Sequence, residues 1–133
     1  MFDRWVENGL LDVLSDEGIG CIVFSPLAQG QLTDRYLNGI PSEARASKTE
    51  RVWLTPDDVK GNLPKVKKLN GLAKERGQSL AQMALAWVLR KPAVTSALIG
   101  ASTVPQLEDN LATLDNLKFS EDELSGIEKI LSG

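Results

Sequence analysis

Cys21-Ile22-Val23-Phe24 is an unbroken apolar run closed by Ser25-Pro26. A run of that length without alternation suits a strand buried on both faces, as in a parallel sheet. A second run, from Val94 to Ile99, ends at Gly100 and reads the same way. Helical patterns surround both. Val6, Leu10, Val13 and Leu14 precede the first run at helical spacing, with Gly18 as the stop. Ser79 and Gln82 form a capping box ahead of Leu80, Met83, Ala84, Trp87 and Val88, and Pro92 closes that helix. Thr103 with Gln106 repeats the device before Val104, Leu107, Leu111 and Leu114. Ser120 with Glu123 does so again before Leu124, Ile127, Ile130 and Leu131. The order helix, strand, long excursion, helix, strand, helix, helix is that of an α/β chain with right-handed crossovers.

The excursion is read as a loop over about residues 28–64, holding Gly30, Gly39, Pro41 and Gly61. Loops this long are usually functional lids or disordered. A weak helix starts at Thr55-Pro56-Asp57-Asp58, where proline suits the first helical position. A separate helix around Val66, Leu69, Leu72 and Ala73 ends at Gly77. Two strands are too few to bury a parallel sheet, and their edges would be unpaired and apolar. No strand precedes the first helix, which follows directly on Met1-Phe2-Asp3-Arg4-Trp5. The pattern is that of a piece of a larger barrel, about half of the ~250 residues a β/α barrel takes.

With 42% hydrophobic and 25% charged residues in 133, the chain has the composition of one soluble globular domain. A net charge of −3 argues against a general nucleic-acid or anionic-membrane surface. There is no apolar run long enough to span a membrane and no signal segment. Cys21 is the single cysteine, which fits a reducing cytoplasm and a core role. The absence of histidine excludes serine–histidine and cysteine–histidine nucleophiles.

The strongest local constellation is Leu98-Ile99-Gly100-Ala101-Ser102-Thr103, a strand passing through small residues into a helix N-terminus. Free N–H groups and the helix dipole favour an anion there, and barrels place a phosphate site after their last strands. A tight turn with a hydroxyl cap explains the same residues. Phe24, followed by a rigid turn, offers a flat platform at the strand end where barrels hold their active sites; a core phenylalanine explains it too. Arg35 and Arg45 in the long loop could clamp a phosphate, or lie solvated on the surface. Tyr36, the only tyrosine, has no lysine or carboxylate placed beside it by the sequence. The run Lys65-Val66-Lys67-Lys68 is a wet helix face, and Glu121-Asp122-Glu123 is helix N-terminal charge rather than a metal site.

Taken together, the chain resembles the aldo-keto reductase superfamily, nearest the branch with potassium-channel β-subunits and bacterial L-glyceraldehyde 3-phosphate reductase. The resemblance rests on Met1-Phe2-Asp3-Arg4, Phe24-Ser25-Pro26-Leu27-Ala28-Gln29-Gly30, Arg45-Ala46-Ser47 and Ala84-Leu85-Ala86-Trp87-Val88-Leu89-Arg90. It continues through Gly100-Ala101-Ser102, Gln106-Leu107 and Asp109-Asn110, so that it covers nearly the whole chain in order. It implies the C-terminal part of a (β/α)8 TIM barrel: helix 6, strand 7, helix 7, strand 8, helix 8 and an extra helix.

It also implies NADP(H) as cofactor. By this resemblance Phe24 stacks on the nicotinamide, and Ser25, Pro26, Leu27, Ala28 and Gly30 line the pyrophosphate. Arg35 lies near the phosphates and Arg45 near the adenosine end. Gly100 and Ser102 hold the 2′-phosphate, while Gln106, Asp109 and Asn110 surround the adenine. Gln106 stands where many members carry arginine. The family reduces small aldehydes and ketones by hydride transfer, with a tyrosine, aspartate, lysine and histidine on earlier strands. None of those strands is recognisable here, and Tyr36 does not match the catalytic tyrosine. The expectation is therefore an NADPH-binding portion that is inactive alone and is partnered by a complementing N-terminal half or an oligomer. A non-enzymatic module that senses NADPH or docks on a partner, like channel β-subunits, is the alternative.

Overall fold

The computed structural model describes residues 1–42 and 54–133. Its helices are α1 (Leu10–Asp16), α2 (Pro56–Glu75), α3 (Leu80–Leu89), α4 (Val104–Leu111) and α5 (Glu121–Ser132); its strands are β1 (Cys21–Phe24) and β2 (Val94–Leu98). The two strands pair in parallel, with Ile22 opposite Ser96 and Phe24 opposite Leu98. Both apolar runs are thus strands, and α2 and α3 form the connection between them.

Three expectations are corrected. The opening helix is split: a 3-10 turn over Trp5–Glu7 stops at Gly9, whose φ of 96° is left-handed, and α1 starts afresh behind it. The long connection ends well before residue 64, because α2 begins at Pro56 under a Thr55–Asp58 capping box. The two helices expected beyond Thr55 are one, running through Pro64. Proline removes one backbone hydrogen bond there, but Val59, Val66, Leu69 and Ala73 are buried on both sides of it and hold the helix together.

The core lies between helices rather than on the sheet. Leu69, Met83, Ala84 and Ile127 are fully enclosed, joined by Val66, Leu80 and Trp87. They come from α2, α3 and α5; α2 packs against both of the others, while α3 backs β2. Seven of the eight residues from Leu80 to Trp87 in α3 are buried, so that helix is apolar nearly all round. A satellite cluster of Tyr36, Leu54 and Val59 pins the end of the described loop to α2.

Two polar knots tie the ends of this helical layer. Arg4 donates to Glu7 at 2.6 Å and to Glu128 at 2.7 Å, and Arg90 donates to Glu7 at 2.9 Å. The Arg90 and Arg4 guanidinium groups lie 3.4 and 5.2 Å from the Trp87 ring centroid. In the second knot, Arg76 stacks on Phe119 at 3.8 Å and pairs with Glu123. It also donates to Gln78 at 2.9 Å and to the Lys118 carbonyl at 3.1 Å.

Both glutamates titrate below the ordinary carboxylate range. Burial pushes Glu7 up, but hydrogen bonds from Arg4 and Arg90 outweigh it and pull it down. Glu123 is lowered first by the Ser120 backbone N–H and then by Arg76. A carboxylate with a depressed folded-state pKa adds stability that is complete above its unfolded value and lost as pH falls through the folded one. The urea midpoint is therefore expected to be level from neutral pH to about pH 5 and to drop below about pH 4. Glu7→Gln should flatten part of that drop; a midpoint unchanged by acid would contradict the pairing.

Candidate functional site

In-register pairing of Phe24 with Leu98 brings the two C-terminal strand ends side by side. The segment after Phe24 and the turn at residues 99–103 therefore leave the sheet at the same end, adjacent strands being ~4.8 Å apart. Phe24 is 80% exposed, its ring presented to solvent at that rim. Ser25, Ala28 and Gln29 have φ of 50°, 47° and 57°, in the left-handed region that side chains rarely adopt. Gly30 follows at 93°. Left-handed non-glycine residues cost about 1 kcal/mol or more each and cluster at ligand clamps.

The bend is held from behind. Leu32 is fully buried in the main core, and Thr33 Oγ1 donates to the Gly30 carbonyl at 2.7 Å. Asn62 Nδ2 on α2 donates to Gln31 Oε1 at 2.8 Å. Sequence reasoning missed these supports. Thr33-Asp34 was their one local signal, since a threonine before an aspartate suits a turn cap. The loop is thereby fastened to the helical layer.

Across the rim, Gly100 and Ser102 are exposed and lead into α4. Thr103 Oγ1 caps the helix by accepting the Gln106 N–H, but the expected reciprocal bond to Thr103 is absent. Gln106 Oε1 instead accepts from the Ser102 N–H at 2.9 Å. Gln106 thus occupies a backbone donor that would otherwise be free for an anion.

Asp109 is also engaged. It accepts from Ser79 Oγ at 3.0 Å and from Gln82 Nε2 at 2.8 Å, clamping α4 to the start of α3. Asn110 beside it is buried. Asp109→Ala is expected to destabilise the fold by about 1–2 kcal/mol. Hydrogen exchange should quicken in α4 and at the start of α3 more than in α5; uniform protection would refute the clamp.

Of the remaining candidates, Pro26 is buried, and Leu27 and Ala28 are half-buried against the core. Arg35 is exposed, with its side chain beside Gly30, so it belongs to the same loop. Arg45 lies outside the described residues. Tyr36 is only 2% exposed and its hydroxyl has no hydrogen-bond partner among the described residues, so it is enclosed rather than presented at the rim. No group of metal-ligating side chains occurs among the described residues, and no described helix is long and apolar enough to cross a membrane.

Parallel strands backed by helices on one side, with two loops converging at their C-terminal ends, define a segment of a β/α barrel. The chain belongs to the aldo/keto reductase family, whose pattern matches residues 1–132. It is 50% identical to L-glyceraldehyde 3-phosphate reductase of Escherichia coli K12 and 49% identical to that of Escherichia coli O157:H7. Each alignment covers 97% of this chain but 38% of the relative, so the chain spans under two-fifths of their length. Among solved structures, a glycerol dehydrogenase from Gluconobacter oxydans superposes with a TM-score of 0.79 at 22% identity, over 98% of this chain and 39% of that one. A thermostable aldo-keto reductase in complex with the inhibitor epalrestat gives 0.64 at 26%, over 96% and 36%.

Proposed function

We propose that this chain is the NADP(H)-holding portion of an aldo-keto reductase and does not turn over substrate by itself. The observation that carries the reading is the pairing of Phe24 with Leu98, which sets an exposed aromatic ring beside the turn at residues 99–103. The features at the rim suit a dinucleotide. A flat ring can stack on the nicotinamide, and a left-handed loop turns its backbone toward a pyrophosphate. The start of α4, with Gly100 and Ser102, can receive a 2′-phosphate, and in this reading Gln106, Asp109 and Asn110 would border the adenine. Arg35 and Arg45 would supply positive charge to the phosphates. The cofactor would supply hydride to a small aldehyde or ketone.

Because Gln106 already holds the Ser102 N–H, a 2′-phosphate must displace it, so the preference for NADPH over NADH should be modest. Tyr36, the one tyrosine, is sealed in the satellite cluster rather than offered to a substrate at the rim. A binding role without turnover and a cytoplasmic location are parts of the same reading.

Tryptophan fluorescence titrated with NADPH tests the proposal. Saturable quenching is expected, and Phe24→Ala should weaken it about three- to tenfold, the worth of one aromatic stack. The circular dichroism of that variant should not change, since the ring is in solvent. No saturable binding, or NADPH-dependent reduction of methylglyoxal by the purified chain, would refute the reading.

A further inference from the structure

α4 begins at the rim yet sends no apolar side chain inward. Of its eight residues only Asn110 is buried, and none belongs to either core cluster of the described residues. The hydrogen bonds that tie this helix to the start of α3 all end on Asp109. Gln82 is the centre of that grip. Its Oε1 accepts the Ser79 N–H at 3.1 Å, and its Nε2 donates to the Asp109 carbonyl at 3.0 Å and to Asp109 Oδ1 at 2.8 Å. The amide faces one way only, because Ser79 presents a donor and Asp109 presents acceptors. Ser79 Oγ in turn accepts the Gln82 N–H at 3.2 Å and donates to Asp109 Oδ2 at 3.0 Å. A capping box needs only its own two residues; this one also grips a second helix.

We propose that Gln82 is a positioning residue for the phosphate-receiving start of α4, acting through Asp109 and touching no ligand itself. The proposal rests on the cofactor reading above. Both polar atoms of the Gln82 side chain are engaged inside the protein, so its influence on the rim runs through the helix it holds. Leverage makes that influence large. Asp109 lies about 9 Å along the axis of α4 from Thr103, at ~1.5 Å per residue. A tilt of ~10° about Asp109 would carry the Thr103 end sideways by about 1.5 Å, half the length of a hydrogen bond. The Ser102 N–H, now on Gln106, sits at that end. Binding groups must be held to within about 0.5 Å of their productive places, so a shift of this size separates a phosphate from its donors.

Gln82→Glu is the deciding variant. It keeps an oxygen for the Ser79 N–H, so the capping box persists, but it replaces the donor facing Asp109 with a second carboxylate oxygen. Like charges at that distance repel. In fluorescence titrations of the full chain, the variant should bind NADPH roughly tenfold more weakly, with unchanged circular dichroism. Adding Asp109→Asn restores a donor and an acceptor in exchanged places, and the double variant should bind at least roughly threefold more tightly than Gln82→Glu alone. Ser120→Ala removes the matching cap from α5. It should lower the urea midpoint, as the loss of a cap does, and leave NADPH binding unchanged. Parental affinity in Gln82→Glu would overturn the proposal, as would a double variant no tighter than the single one. An equal loss of affinity in Ser120→Ala would also overturn it, since that would be a general effect of stability. Saturable binding by the parent with Gln82→Glu unchanged rejects this proposal alone; no saturable binding by the parent rejects the cofactor reading and this proposal with it.

Discussion

Truncating Trp87 to alanine is expected to remove about 3–5 kcal/mol, a large share of the stability of a domain this size. The indole is 4% exposed and packs in the main core, so its loss opens a cavity under α3. It also strips the surface on which the Arg90 and Arg4 guanidinium groups rest at 3.4 and 5.2 Å. Those contacts add about 0.5–2 kcal/mol each, depending on how far they are desolvated. Domains of this size are typically stable by only about 5–15 kcal/mol. Trp87→Phe, which keeps a ring under both cations, should retain most of the stability. Urea unfolding followed by circular dichroism separates the two variants, and equal losses would discount the cation contacts.

The second large effect is expected at Arg76. Its side chain is 3% exposed, pairs with Glu123 and stacks on Phe119. Arg76→Ala removes the ion-pair partner of Glu123, which keeps only the Ser120 N–H, and the donor to the Lys118 carbonyl, a loss of about 1.5–3 kcal/mol, the range for hydrogen bonds to charged groups. Arg76→Lys should recover little of this, because an ammonium cannot reach several acceptors at once or lie flat on the ring. Thermal melting of the three proteins checks the order; a lysine variant as stable as the parent would show that charge alone matters.

The elements that sequence made legible were those with local chemistry. The capping boxes at Ser79 and Ser120 form as their side-chain spacing requires, and the two apolar runs became paired parallel strands. What escaped was non-local or settled by competition. Pro64 suggested a boundary, yet burial of Val66 and Leu69 carried α2 through it. Asn8-Gly9 looked continuous with the helix on either side until the glycine took a left-handed turn. Gln106 had the right spacing for a capping box but bonded to Ser102 instead. The rim residues Phe24, Gly100 and Ser102 could be proposed from position along the chain. The clamp from Asp109 to Ser79 and Gln82 could not, because it joins residues about thirty apart whose contact only the fold creates.

Ser25, Ala28 and Gln29 are held in their left-handed shape by Leu32, Thr33 and Asn62 of the surrounding fold. A visiting molecule therefore does not have to reshape the segment, and its arrival rate is governed by encounter and orientation. Ligands of similar charge should then arrive at similar speeds. Their discrimination resides in how long each one stays, as it does among closely related complexes generally.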